Sequence, residues 1–312
     1  MQHQARKRFG QNFLHDPGVI RGILAAVAAR PGQHLVEIGP GQGAITEGLL
    51  ETAGVMDLIE LDRDLIAPLA DRFGGQVMHR SQHSSHSAVQ VDRQKPSRLR
   101  IHNADALSFD LCALLPRSAQ DLRSPAPAAL SQPATDSERD PPAEHRLRLI
   151  GNLPYNISTP LLFRFLDQSD CIEDMHLMLQ KEVVDRMTAE PGTKVYGRLS
   201  VMVQTFCSAR RLFLVSAGAF RPAPKVSSAV VRLHPHRPLP YPLADSTWHA
   251  RIVAAAFAQR RKTLRNSLSG LITPQQMIAL EIDPGARAET LSVAHFAALA
   301  NASSACIDAQ IP

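Results

Sequence analysis

The segment Gly151-Asn152-Leu153-Pro154-Tyr155-Asn156, directly after the apolar run Leu147 to Ile150, carries the parts needed to hold a flat base by its exocyclic amine. The Asn152 side-chain oxygen and the Pro154 carbonyl can each accept a hydrogen bond from an amino group, and the Tyr155 ring can stack on the base. Proline cannot donate, so its carbonyl is an acceptor without a competing N–H, and its fixed φ stiffens the turn. The plainer alternative is a β-turn with an ordinary core tyrosine.

A second motif narrows the choice. Leu35-Val36-Glu37-Ile38 is followed by Gly39-Pro40-Gly41-Gln42-Gly43 and a helical pattern from Ala44 to Leu50. Strand, glycine-rich turn and helix in that order form a nucleotide-binding βα unit, because glycines let the backbone approach the ligand. With Ala44 the turn also satisfies the dinucleotide pattern, so a nicotinamide dehydrogenase stays open. Glu37 before the turn and the base-holding segment downstream favour a nucleoside cofactor with a transferable group. The next apolar run, Met56 to Leu61, ends at Glu60-Leu61-Asp62, where a carboxylate fits the slot that grips ribose hydroxyls. Leu99 to His102 leads into Asn103-Ala104-Asp105, where a carboxylate could accept from an adenine amine. S-adenosylmethionine needs both contacts.

Alternating βα units must position these residues: strands at Leu35–Ile38, Met56–Leu61, Leu99–His102, Leu147–Ile150 and Met175–Leu179, with helical patterns between most of them. The expectation is an α/β fold, a Rossmann-like, mostly parallel sheet covered on both faces. Thr205–Val215 and Ser228–Leu233 read as a closing strand pair. The stiff proline-containing run His234 to Pro240 reads as a linker. Trp248–Leu268 reads as one helix, with Pro274–Leu280 and Ser292–Asn301 as further helices. This sets a methyl-transfer-type domain at 1–236 and a small all-α domain at 237–312. On the first of those helices Leu264 and Leu268 would bury one face and leave Arg261 and Arg265 on another.

At this point the chain resembles the ribosomal RNA adenine N6,N6-dimethyltransferases, in particular the bacterial branch that modifies 16S rRNA. Four further segments carry the likeness: Arg6 to Leu14 (RKRFGQNFL), Leu179 to Val183 (LQKEV), Phe220 to Ser228 (FRPAPKVSS) and Phe257 to Arg265 (FAQRRKTLR). The resemblance implies an S-adenosylmethionine-dependent enzyme. Its reaction would be methyl transfer to N6 of two adjacent adenines in a loop near the 3' end of 16S rRNA, during small-subunit maturation. It implies a cofactor site of Asn12, Leu14, Gly39, Gly41, Glu60, Asp105 and Asn152, and a catalytic set of Asn152, Tyr155 and Phe220, with Phe220 facing Tyr155 across the base. Arg221, Lys225, Arg260, Arg261, Lys262 and Arg265 are the expected RNA contacts. The rivals are a 23S rRNA adenine methyltransferase and a non-catalytic ribosome-assembly or transcription factor of the same fold. Leu153 and the Pro222–Ser228 segment favour the 16S branch, and intact Asn152, Tyr155 and Glu60 speak against lost catalysis.

Two segments depart from that pattern. Residues 75–98 carry His79, His83 and His86 among serines, and 116–146 carry Pro116, Pro125, Pro127, Pro133, Pro141 and Pro142 among small and charged residues. The composition of 116–146 cannot bury a core, so disorder is expected there, and both segments leave from the face beside Asp105 and Asn152, where they could crowd the substrate entrance. Neither a cysteine nor paired carboxylates join the three histidines, so no metal is expected.

At 312 residues the chain allows one large domain with a small second one. Cys112, Cys171, Cys207 and Cys306 are scattered without metal or redox spacing, which suits a reducing cytosol. No apolar run reaches the length of a membrane span. The basic N-terminus has no hydrophobic stretch after it, which argues against a secretory signal, and the match at Phe9–Leu14 argues against a transit peptide. A cytoplasmic monomer is expected. The net charge of +5 is unevenly spread: Thr205–Arg265 holds eleven Lys and Arg against one acid, Asp245. A solvated helix face would intersperse acids; their absence points to a polyanion-binding surface.

Overall fold

The computed structural model describes residues 11–53, 55–78, 99–115 and 146–308. The readings placed on Arg6–Gly10, on His79, His83 and His86, and on the proline-rich run 116–145 lie outside these residues.

The chain divides into two compact units, Met1–Lys181 with Leu212–Arg232, and Glu182–Arg211 with Leu233–Pro312. This differs from a boundary at 236/237: the segment Glu182–Arg211, including the helix Arg198–Phe206, groups with the C-terminal helices. Composition marks a linker where prolines cluster, close to the break at Arg232/Leu233, and packing adds Glu182–Arg211 to the second unit.

Among the described residues an eight-stranded sheet runs in the order β4-β5-β3-β2-β6-β7-β10-β8. Its strands are β2 (His34–Ile38), β3 (Val55–Glu60), β4 (Gln76–Met78), β5 (Leu99–Asn103), β6 (Leu147–Asn152), β7 (Ile172–Gln180), β8 (Cys207–Val215) and β10 (Ser228–Pro235). From β4 to β7 every pairing is parallel. Leu35 to Ile38 and Met56 to Glu60 are buried without alternation, which only a sheet covered on both faces produces. The Rossmann-like α/β arrangement is therefore present. β2 pairs Ile38 with Ile59 of β3 and with Gly151 of β6, so the carboxyl ends of these strands align at the point where the strand order reverses. That is where doubly wound sheets open a crevice.

Two very short strands without a periodic sequence signal, β1 (Phe13–Leu14) and β9 (Phe220–Arg221), pair antiparallel and join Leu14 to Phe220. Asp16 then starts the helix Pro17–Val27, accepting from the Gly18 and Val19 amides, with Pro17 at the first turn.

In the second unit, Val293–Asp308 packs on Ser246–Ala256, and Trp248 donates its indole N–H to Ser303 at 2.7 Å. The single helix expected over Trp248–Leu268 is broken: Ser246–Ala256 ends, a turn carries Gln259 to Lys262, and Leu264–Ser267 is a separate short helix. Leu264 and Leu268 are buried as expected, held by Leu264 N–H donating to Ala286 O and Arg265 N–H to Pro284 O. Arg261 and Arg265 thus do not share a helix. The cysteines also depart from expectation, because Cys112 and Cys171 form a disulfide across 59 positions, with Cα atoms 5.5 Å apart. Sequence spacing carries no trace of a pairing set by tertiary structure.

Candidate active site

The aligned strand ends open into a cavity of about 330 Å³ lined by Asn12, Leu14, Gly39, Gly41, Glu60, Asp105, Asn152, Pro154 and Tyr155, among others. Every cofactor residue expected from the sequence lies on its wall. Phe220 does not. It is buried at 2% exposure in the core cluster that also contains Leu14.

The glycine turn is shaped by close approach. Gly39 and Gly41 have φ of +65° and +59°, a region that L side chains rarely adopt, and a Cβ on Gly41 would stand 3.0 Å from the Phe13 ring. From there the Gly41 amide donates to Glu60 Oε2 at 3.2 Å, and the Asp62 amide donates to Glu60 Oε1 at 2.8 Å. Both oxygens are thereby oriented, with lone pairs left for a ligand. Burial pushes the Glu60 carboxyl up to about 7 against those hydrogen bonds. Glu37, also on the cavity wall, accepts from the Thr46 hydroxyl at 2.6 Å and is likewise pushed up to about 7 by burial. Asn103 donates to the Glu60 and Leu61 carbonyls, and Asp105 Oδ1 accepts from the Leu107 amide, which sets the loop beside the site.

The turn after β6 is similarly fixed. Asn152 Nδ2 donates to the Asn12 carbonyl at 3.0 Å. A backbone carbonyl can only accept, so this contact identifies the amide nitrogen and leaves Oδ1 as an acceptor. The Pro154 carbonyl takes the Ile157 amide at 3.2 Å, using one of its two lone pairs. The Tyr155 hydroxyl meets Ser228 Oγ at 2.6 Å, and burial raises its pKa although that bond works the other way.

Sequence reasoning missed Gln11, Phe13, Thr46 and Ser228. Gln11 Nε2 donates to Asp62 Oδ2 at 2.9 Å and lines the cavity with Phe13. Only long-range packing brings these residues in; the one available signal was the polar-aromatic run Gln11-Asn12-Phe13. Among the expected RNA contacts, Arg221 is exposed at the end of β9 and Lys225 is exposed between β9 and β10. In the second unit Arg261, Lys262 and Arg265 are exposed, whereas Arg260 is engaged by the Lys194 carbonyl (2.8 Å) and by Glu289. Among the described residues no group of three or more His, Cys, Asp or Glu is arranged to hold a metal, and no helix is long and apolar enough to cross a membrane.

The donor set suits S-adenosylmethionine: an oriented carboxyl at the end of β3 for ribose hydroxyls, a second at Asp105, apolar walls from Ile38, Ile59 and Leu107, and a backbone-lined glycine turn. A parallel sheet with such a cavity at its switch point, bordered by the turn Asn152–Tyr155, is the arrangement of an S-adenosylmethionine-dependent methyltransferase, the class to which the family below belongs. More narrowly, the chain belongs to the ribosomal RNA adenine dimethylase family, whose model matches residues 2–304. It is 47% identical over 300 residues to Ribosomal RNA small subunit methyltransferase A of Pseudomonas aeruginosa, covering 96% of this chain and 95% of the relative. It is 48% identical over 299 residues to the protein of that name from Methylococcus capsulatus, covering 96% and 98%. The fold is shared with a dimethyladenosine transferase from Plasmodium falciparum (TM-score 0.67, 22% identity, 92% of this chain and 95% of that one). It is also shared with the 23S rRNA methyltransferase ErmE (TM-score 0.61, 20% identity, 94% and 100%).

Proposed function

We propose that this enzyme transfers methyl groups from S-adenosylmethionine to N6 of two adjacent adenines in a loop near the 3' end of 16S rRNA. The observation that carries this reading is that Asn152 and Pro154, each with an acceptor to offer, line the same cavity as Glu60 and Asp105. Relatives of near-equal length and 45–48% identity bear the small-subunit name, which favours 16S over 23S RNA.

When bound, S-adenosylmethionine supplies an electrophilic methyl on a sulfonium. The adenine amine is a poor nucleophile because its lone pair is delocalised into the ring. Asn152 Oδ1 and the Pro154 carbonyl would accept its two hydrogens, which draws the nitrogen towards tetrahedral geometry with its lone pair free to take the methyl, and the proton displaced from N6 leaves to water afterwards. Alignment of this kind can supply roughly 7–11 kcal/mol. Tyr155 stacks on the base, worth about 1–3 kcal/mol. For Phe220 to reach the other face it must leave its packing around Leu14. Glu60 holds the ribose, Asp105 the adenine of the cofactor, and Asn12, Leu14, Gly39 and Gly41 complete the pocket. Arg221, Lys225 and the 260–265 cluster meet RNA phosphates, which position the substrate without reading sequence. The target N6 lies on the Watson–Crick edge, so the base must be unpaired or splayed out.

Such a protein works on the small subunit or its precursor in the cytoplasm, as a monomer. The test is to map methylated adenines in small-subunit RNA from cells with and without the protein, then restore them with purified protein and cofactor. Loss and recovery of two adjacent dimethyladenosines is expected; unchanged small-subunit RNA would overturn the reading.

A further inference from the structure

The structure fixes the Tyr155 backbone three ways. Leu153 N–H donates to Met178 O at 3.1 Å, Ile157 N–H to Pro154 O at 3.2 Å, and Ser158 Oγ to Tyr155 O at 3.1 Å. None of these holds the ring, which turns about two side-chain torsions and whose angle decides whether it lies flat against a base. The ring tip has one polar contact of its own: the hydroxyl lies 2.6 Å from Ser228 Oγ. Ser228 is fully buried and opens β10, a strand of the main sheet, and the adjacent Ser227 carbonyl accepts the Lys181 amide at 2.9 Å. The anchor is therefore as rigid as the sheet, whereas Tyr155 itself is only partly buried and lines the cavity.

A core role for the hydroxyl pair is the plain competitor. Tyr196 argues against it, because its buried hydroxyl has no hydrogen-bond partner among the described residues. This fold tolerates a buried tyrosine hydroxyl without a matched serine, and the match occurs at the tyrosine beside the base acceptors.

We propose that Ser228 is a positioning residue for methyl transfer, holding the Tyr155 ring at the angle that stacks the target adenine while Asn152 and Pro154 take its amine. The proposal rests on the functional reading above and adds to it a residue that is not part of the cavity lining.

Two substitutions remove the same bond from opposite ends. Ser228→Ala and Tyr155→Phe should each lower kcat by about tenfold, the equivalent of about 1.4 kcal/mol and the scale of one hydrogen bond. KM for the cofactor should stay put. The double variant should be no worse than either single, since the bond can be lost only once. Should Ser228→Ala not fold, Tyr155→Phe makes the same comparison at a partly buried site.

A second readout does not depend on activity. The chain has three tyrosines, so fluorotyrosine labelling gives three fluorine resonances. Ser228→Ala should shift and reshape the Tyr155 signal while those of Tyr196 and Tyr241 stay in place. A kcat within about twofold of wild type, roughly additive losses of about hundredfold in the double variant, or an unmoved Tyr155 signal would each overturn the proposal. If wild-type protein fails to methylate small-subunit RNA, the functional reading falls, and the fluorine signal alone decides the role of Ser228.

Discussion

Asn152 spends one end of its amide on the chain itself, donating to the Asn12 carbonyl, and in the proposed reaction the other end accepts from the target amine. Asn152→Ala should therefore leave cofactor affinity nearly intact and almost abolish methyl transfer, because the lost contact is made chiefly in the transition state. Single-turnover transfer close to wild type, with titration showing normal cofactor binding, would remove Asn152 from the chemistry. Glu60 predicts a different signature. Its carboxyl, ordinarily near 4.5, is pushed up to about 7 by burial, so in the folded chain it keeps a proton that the unfolded chain has already released. The folded state binds more protons between those values, so this group's contribution to stability falls as pH rises from about 4.5 to about 7 and is level beyond. Cofactor binding runs the other way, since ribose hydroxyls need the ionised acceptor. Affinity should climb from about pH 6 to about pH 8, and Glu60→Gln should bind weakly with no such climb. Calorimetry across that range checks both; equal pH profiles for the two proteins would put the ribose elsewhere.

The elements differ in how much of them could be read in advance. β2, β3, β5 and β6 announce themselves because strands covered on both faces are rich in buried apolar residues, and Gly39, Glu60, Asn103 and Asn152 stand at or just past their carboxyl ends. β1 and β9 have two residues each, too few for any period, so the closure that brings Asn12 and Leu14 to the cavity was legible only through family likeness. The helix break at Phe257–Thr263 was hidden for a related reason: Ala256 to Leu264 contains no glycine or proline to mark it, and tertiary hydrogen bonds at Leu264 and Arg265 decide it. The Cys112–Cys171 pair is the largest departure. It joins the Leu111–Leu114 turn, near the Asp105–Leu107 side of the cavity, to the turn before β7, where Gln168 also accepts from the Leu111 amide. Closing a loop of 59 positions should stabilise by about 4 kcal/mol on the chain-entropy argument. Protein purified without reductant should show two titratable thiols after unfolding rather than four, and Cys112→Ser should lower its Tm towards that of the reduced protein. Four thiols without reductant would leave the two cysteines as neighbours only.

Across the whole molecule, basic charge is concentrated in one stretch of the sequence. The stretch Thr205–Arg265 carries eleven basic residues against one acid, while the remainder of a +5 chain is net acidic. The cavity belongs to the first unit, and Arg260 to Arg265 belong to the second. Arg260 is already committed to Lys194 O and Glu289, so its loss should tell on local stability as well as on RNA. Arg261 and Arg265 are the sharper probe: both are exposed, one in the turn and one on the short helix, and a polyanion is the natural partner for cations presented this way. Replacing both with alanine should weaken small-subunit RNA binding and flatten its salt dependence, with cofactor affinity untouched. Each lost phosphate contact lowers the slope of log affinity against log salt by roughly 0.7–0.9, so the pair should lower it by about 1.4–1.8. If the two arginines only solubilise the unit, the slope and the methylation of native substrate will both match wild type. A slope that falls while the bases methylated stay the same would assign them to docking, and leave the choice of adenine to the turn at Asn152–Tyr155.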